Sequence, residues 1–224
     1  MITFTLAIET SSAPASVAIA REGAEPIVYF FEGARPDIGK LLIPGIDALV
    51  TKAGFEPAGI VKILAGAGPG TFTGLRIGLA AAKSLAFVSR APIFAFPSFV
   101  ASAFVAFREF PQFARAAVAI DALRGDFGAA LYERDGGVPR ELLAPALANA
   151  ADLRTRFASA EAFITDRPDL LRSIIDDHRP IVSAKPDAAQ FIVLERLGAK
   201  PLSQVSPIYL RASAAEEQAK LKLS

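Results

Sequence analysis

Two acids stand out by position. Glu9 follows the apolar run Thr3–Ile8, and Asp121 follows Ala117–Ile120. A carboxylate at the end of a buried strand is costly unless something uses it. Facing each other across a cleft, the pair could hold Mg²⁺ through water. Thr10, Ser11 and the glycine turn Gly66–Gly70 would then meet the phosphates of a nucleotide. The alternative is that each acid accepts backbone N–H groups within its own turn and holds a hairpin together. Other chemistry is poorly supplied. His178 is the only histidine, in the charged segment Asp176-Asp177-His178-Arg179, which reads as a surface loop. A histidine-rich metal site is thereby excluded, and a histidine-based triad would have to use this one residue. With no cysteine there is no thiol chemistry and no disulfide.

The glycine turn belongs to the stretch that organises the chain, from Ile60 to Val88. Ile60–Ala65 reads as a buried central strand. Gly66, Gly68 and Gly70 can take positive φ, and Pro69 fixes its own φ between them. Thr71 or Thr73 can cap the helix that follows. A strand, a glycine turn and a helix N-terminus can bind an anion, or simply turn the helix back onto the sheet. It is not a Walker A loop, because no Gly-Lys-Ser/Thr closes it. Nor is it a dinucleotide fingerprint, because the spacing is GxGxG. On the helix, Gly74, Gly78 and Ala82 recur every four residues. That leaves a face of near-naked backbone where another element must pack closely.

The N-terminal residues form a meander of three strands, Thr3–Ile8, Ala15–Ala20 and Pro26–Phe31. A helix follows over Asp37–Lys52, capped by Asp37, with Ile38, Leu41, Leu42, Ile46, Leu49 and Val50 on one face. Ala91–Phe96 is a strand and Phe99–Phe107 a helix. The segment 91–107 is uncharged, but it is too short to span a bilayer and is broken by Pro92 and Pro97, so it reads as core. In the second half, strands are expected at Ala117–Ile120, Gly128–Tyr132, near Gly137–Leu142, and at Ala162–Thr165. Helices are expected near Asp152–Phe157, from about Asp169 to Ile175, and at Ala188–Leu197. Pro207–Arg211 is extended, and a frayed helix closes the chain.

LAIETSSAPASVAIAREG near the start echoes VAIDALRGDFGAALYERDG half a chain later. Glu9 aligns with Asp121, and Gly23 with Gly136. The chain therefore reads as two copies of a strand–acid–turn–strand unit, each followed by helices. The 224 residues are 52% hydrophobic and 21% charged, which predicts a packed globular body. The formal net charge of +1 gives no general field toward nucleic acid or membrane. No secretory signal is visible at Met1–Thr5, and the lack of cysteine suits a reducing compartment, so a cytoplasmic location is expected.

LAIETSSAPASVAIA, GAGPGTFTGLRIGLAAAKSLA, IDALRGDF and PIYLR together resemble the bacterial TsaB (YeaZ) family, across nearly the whole chain. The resemblance implies an α/β fold of the actin-like ATPase type (the sugar kinase, heat-shock and actin superfamily, ribonuclease H-like). Its two duplicated lobes are expected at 1–108 and 109–224. It implies a role in N6-threonylcarbamoylation of adenosine 37 in tRNAs reading ANN codons. In that role the chain is a non-catalytic subunit that binds and activates a TsaD-type transferase, with a TsaE-type ATPase joining them. It is a homodimer when alone and meets tRNA mainly through the complex.

The partner surface implied is the first two helices, with Ile38, Leu41, Leu42, Ile46, Phe72, Gly74, Leu75, Gly78, Leu79 and Ala82. On this view Gly78→Leu leaves the fold intact and blocks the partner. A vestigial nucleotide site would comprise Glu9, Thr10, Ser11, Gly68, Gly70 and Asp121. No cofactor is required, and weak ATP or ADP binding, alone or at the partner interface, stays open. The peptidase M22-like label attached to the family needs two metal-binding histidines on the first helix, which here has none. Two alternatives remain: a small ATP-dependent kinase of the same fold, and a homodimeric scaffold for another partner.

Overall fold

The computed structural model describes residues 2–33, 36–122 and 125–211. The expected closing helix and the second-half turn at Leu123 lie outside them.

The first lobe opens with a meander, β1 (Phe4–Glu9), β2 (Ser16–Ala20) and β3 (Ile27–Phe30). Helix α1 (Ile38–Lys52) leads to β4 (Ile60–Gly66), and α2 (Phe72–Ser89) to β5 (Ile93–Phe96). β1 pairs antiparallel with β2 and parallel with β4, giving the sheet order β3-β2-β1-β4-β5. Helix α3 (Ser98–Glu109) closes this half.

The second lobe repeats the plan. β6 (Arg115–Asp121), β7 (Phe127–Glu133) and β8 (Arg140–Ala148) form the meander. α4 (Ala150–Thr155), β9 (Ala162–Thr165), α5 (Pro168–Ile174), β10 (Ile181–Ser183) and α6 (Ala188–Arg196) complete it. Its order, β10-β9-β6-β7-β8, is that of the first sheet with each strand replaced by its counterpart. Glu9 and Asp121 are the last residues of corresponding strands, so the internal echo in the sequence is a structural duplication. The lobes are the two halves of an actin-like fold.

Two elements differ from expectation. β8 runs to Ala148, because it pairs with the full length of β7. β10 is three residues long and carries too little pattern to be seen in sequence; it exists because β9 supplies a parallel edge.

Side-chain alternation on the strands builds the layers. Leu6, Ile8, Val17 and Ile19 face α1 and α2, where Leu42, Ile46, Leu49, Leu79 and Ala82 complete one core. Ala7, Ala18 and Leu64 face the opposite way, into a central core with α3 and α6 and with Val118 and Ala130 of the second sheet. Ala117, Ala119 and Phe163 face α4 and α5. The result is five layers, helix–sheet–helix–sheet–helix. Small residues on both central sheet faces make room for the phenylalanine-rich α3 and for α6, with Phe96 stacked on Phe191 at 6.0 Å.

The central helices cross over. α6 packs on β1, β2 and β4 of the first sheet, and α3 on β6, β7 and β9 of the second. The uncharged segment 91–107 is thus β5 and a central helix. Among the described residues no helix is long and apolar enough to cross a membrane.

Candidate functional site

β1 ends at Glu9, whose side chain is fully buried. Its Oε1 accepts the N–H of Ser11, and its Oε2 accepts the hydroxyl of Ser98 at 2.6 Å. Ser98 Oγ in turn accepts the N–H of Gly68 at 3.1 Å, and Ser98 N–H donates to Gly68 O at 2.7 Å. Burial pushes the Glu9 carboxyl above the ordinary glutamate range; hydrogen bonds from Ser11 and Ser98 oppose this, and the nearby Asp187 charge adds to it. The side chain holds its own turn and ties it to the glycine loop and to the start of α3.

The glycines explain the closeness. A Cβ at Gly66 would lie 2.2 Å from Glu9 Oε2, and one at Gly70 would lie 2.3 Å from Ser11 O. One at Gly74 would lie 2.0 Å from Thr10 O, and one at Gly78 would lie 2.1 Å from Thr10 Oγ1. Four glycines at four-residue spacing form one track from the end of β4 along α2. Residues Glu9–Ser11 lie in that track, with Thr10 Oγ1 donating to Gly74 O at 2.7 Å and Thr71 N–H donating to Ser11 O at 2.8 Å.

This corrects the sequence reading of α2. The glycine face is filled by the chain's own Thr10, so it offers no room to a second subunit, and Gly78→Leu would disturb the fold. Thr71 is the N-cap residue, but its side chain makes no capping bond.

The other residues expected at a partner surface divide. Leu42, Ile46, Leu75, Leu79 and Ala82 are buried in their own lobe. Ile38 and Phe72 are half-buried. Leu41 is 43% exposed, and beside it Ile43 is 51% exposed. On the last turn of α2, Phe87 and Val88 are 86% and 80% exposed. The apolar residues that α1 leaves outside its own core are therefore Leu41 and Ile43.

Asp121 differs from its counterpart. It is ion-paired with Arg167 Nη1 at 2.8 Å, at the C-terminal end of β6, the central strand of the second sheet. Asp166 stands nearby, its carboxyl raised chiefly by burial, with Lys185 and Arg167 opposing and the Asp121 charge adding. Asp187 caps α6 through Ala189 N–H and Gln190 N–H, and the first amide of α6, Ala188 N–H, donates to Ser16 Oγ beside Glu9. Ser98 and Arg167 had no signal in the sequence, because each acts on a residue distant along the chain, whereas Asp187 with Pro186 marks the start of α6 locally, as its N-cap. A nucleotide with bound Mg²⁺ does not fit this arrangement. Glu9 is enclosed with both oxygens accepting hydrogen bonds, and Ser11 O lies against Gly70, 2.3 Å from where a Cβ would be. Among the described residues no group of three or more His, Cys, Asp or Glu side chains is placed to hold a metal ion. His178 is exposed in an irregular segment, as expected.

Fold and site together define a two-lobed actin-like protein whose first-lobe acid serves as an internal tie. Residues 34–163 match the model of the family described as TsaD, tRNA N6-adenosine threonylcarbamoyltransferase. The chain is 32% identical over 130 residues to the tRNA threonylcarbamoyladenosine biosynthesis protein TsaB of Escherichia coli (strain K12). That match covers 58% of this chain and 55% of the relative. It is 34% identical over 96 residues to the protein of the same name from Bacillus subtilis (strain 168), covering 42% of this chain and 40% of the relative. The matches thus span about half the length of these relatives. A Pseudomonas aeruginosa crystal structure, described as an uncharacterized protein with similarity to peptidase YEAZ, is similar at a TM-score of 0.78 and 25% identity. The similarity covers 93% of this chain and all of that one. The chain belongs to this TsaD-type family, and within it to the TsaB (YeaZ) proteins.

Proposed function

We propose that this chain takes part in making N6-threonylcarbamoyladenosine in tRNA, as a non-catalytic subunit that binds a TsaD-type transferase and holds it in its competent conformation. The observation that carries the reading is the pairing of a sealed Glu9 with apolar residues left on the outside of the same lobe. Glu9 is fully buried, whereas Leu41, Ile43, Phe87 and Val88 stand in solvent on α1 and α2. Each such side chain, fully buried against a partner, contributes roughly 1.5–3 kcal/mol. Family membership and the relatives' names supply the pathway. The first helix lacks histidine, so the metal centre expected of a peptidase M22-like enzyme has no ligands there.

The test is a reconstitution with TsaC-, TsaD- and TsaE-type proteins, ATP, threonine, bicarbonate and tRNA, with the modified nucleoside quantified by mass spectrometry. Product is expected only when this chain is present. The Leu41→Asp/Phe87→Asp variant should keep its melting temperature and lose the stimulation. Product formed equally well without the chain refutes the reading; full stimulation by the folded variant moves the interface elsewhere.

A further inference from the structure

Glu9 and Asp121 mark one end of the two lobes; the other end holds a cavity. β1 and β2 pair from Glu9↔Ser16 to Thr5↔Ala20, and β6 and β7 from Asp121↔Phe127 to Arg115↔Glu133. The β2–β3 and β7–β8 turns therefore both lie at the end away from the two acids. Helices α3 and α6 start beside Glu9 and Ser16, so their C-termini lie at that far end as well. The cavity enclosed by these four parts measures about 660 Å³, within the range of about 300–1,000 Å³ usual for small-molecule sites. Its floor is apolar. Phe104 and Phe107, one turn apart on α3, are each 5% exposed. Val193 and Leu197 at the end of α6 and Val138 in the β7–β8 turn complete it. Guanidinium groups line it too. Arg108 lies 5.5 Å over the Phe104 ring, and Arg134 lies 5.3 Å over the Phe107 ring. Arg134 donates from Nε and Nη2 to the carbonyl of Phe113 and from Nη2 to that of Phe110. Arg196 donates to the carbonyls of Ala24 and Arg21 on the first lobe.

We propose that this cavity binds a small apolar carboxylate, its charged end on Arg108 and Arg134 and its apolar body over Val138, Val193 and Leu197. The balance of charge points to an anion. Of the two acids in the lining, Asp135 is already paired with Arg140 at 3.4 Å. Glu25 follows Ala24, whose carbonyl holds Arg196, so these two opposite charges share the first-lobe wall. Arg108 has no hydrogen-bond acceptor among the described residues, and Arg134 meets only neutral carbonyls, so both lend uncompensated charge to the cavity. A guanidinium laid on an aromatic ring is fixed in its plane and offers its N–H edge, which suits a carboxylate bidentately. Three guanidiniums and two carboxylates in the lining leave one net positive charge, which a monoanion matches and a phosphate dianion exceeds. Burial of the ligand's apolar part against the phenylalanine and valine walls supplies the remaining attraction. The cavity shares no residue with the exposed surface of Leu41, Ile43, Phe87 and Val88, so the proposal stands whatever the partner assay returns.

The experiment titrates the native chain with phenylbutyrate, and in parallel with the neutral phenylbutyramide, following backbone and arginine Nε–H resonances by heteronuclear NMR. Saturable shifts are expected at Arg108, Arg134, Val138 and Val193, with a Kd of about 1 mM or tighter. The amide should bind about tenfold or more weakly, because it lacks the charge. Arg108→Gln, at an exposed position in the last turn of α3, should keep its melting temperature. It should weaken phenylbutyrate about fivefold or more and leave the amide unchanged. Shifts that do not saturate, or that map elsewhere, overturn the site. Equal binding of acid and amide refutes the recognition of charge, as does full affinity in the folded Arg108→Gln chain. If that variant does not fold, Leu197→Glu places a carboxylate at the cavity's edge, where Leu197 is 50% exposed. It should weaken the acid more than the amide, and undiminished binding of the acid counts against the proposal in the same way.

Discussion

Replacing Gly78 by alanine has a sign that depends on one atom of another residue. In an exposed helix interior the change would stabilise by about 1 kcal/mol, because glycine is the poorer helix former. Here the new methyl would lie 2.1 Å from Thr10 Oγ1. Overpacking of this kind costs roughly 1–3 kcal/mol, so Gly78→Ala is expected to be net destabilising, by up to about 2 kcal/mol. Thr10→Ala alone removes the Thr10–Gly74 hydrogen bond, a loss of about 1 kcal/mol. In the Thr10→Ala background the hydroxyl is gone and the nearest atom is the retained Cβ, 3.2 Å from the new methyl, so Gly78→Ala should be less destabilising than in the native chain by about 1 kcal/mol or more. Gly74→Ala has no such rescue, because its methyl would lie 2.0 Å from the backbone oxygen of Thr10, which the alanine keeps. Urea unfolding of the four chains in each cycle measures both couplings. A chain of this size should move in melting temperature by roughly 2–4 °C per kcal/mol. A stabilising Gly78→Ala in the native background, or equal effects in both backgrounds, would refute the claim that Thr10 fills the glycine track.

Burial holds the Glu9 carboxyl above its ordinary value of 4.5. Its contribution to stability is therefore complete below about pH 4.5 and is lost as pH climbs through the raised folded value. Glu9→Gln should flatten that decline, and urea midpoints between about pH 4 and 8 that run parallel for the two chains would overturn this. Arg179 donates from Nη1 to the carbonyls of Phe157 and Ala160 at 2.6 and 3.0 Å, pairs with Asp177, and lies 4.4 Å over Phe163. A lysine cannot serve both carbonyls and the stack, so Arg179→Lys should lose about 1–3 kcal/mol; an unchanged urea midpoint would show that the guanidinium is not a tie of the second lobe. Leu41→Asp and Phe87→Asp, on exposed positions, should each change folding stability by less than about 0.5 kcal/mol. A shift of several degrees in melting temperature would mean that these side chains belong to the fold and are not free for a partner.

Local pattern determined a large part of this protein. Alternating apolar residues place β1 and β2, the four-residue recurrence places α1 and α2, Asp37 caps α1, and the echo around Glu9 and Asp121 foretells two lobes. These signals survive in sequence because strand and helix periods, caps and turn glycines act over a few residues. Only the tertiary structure decided what each face meets. Periodicity shows that Leu42, Leu75 and Leu79 are covered, and it is silent on whether a subunit or the chain's own sheet covers them; the sheet does. The naked stripe on α2 requires a close neighbour, and the neighbour is Thr10, more than sixty residues earlier in the chain. Glu9 is as readable as a metal ligand as it is as a tie, until Ser98 and Gly66 enclose it. The extended segment Pro207–Arg211 joins Tyr209 to Arg76 and Leu210 to Gly128, pairs that no local period links. Contacts between residues far apart in sequence depend on how whole layers stack, and that is settled by the folded volume, where every buried donor must find an acceptor and every gap a side chain.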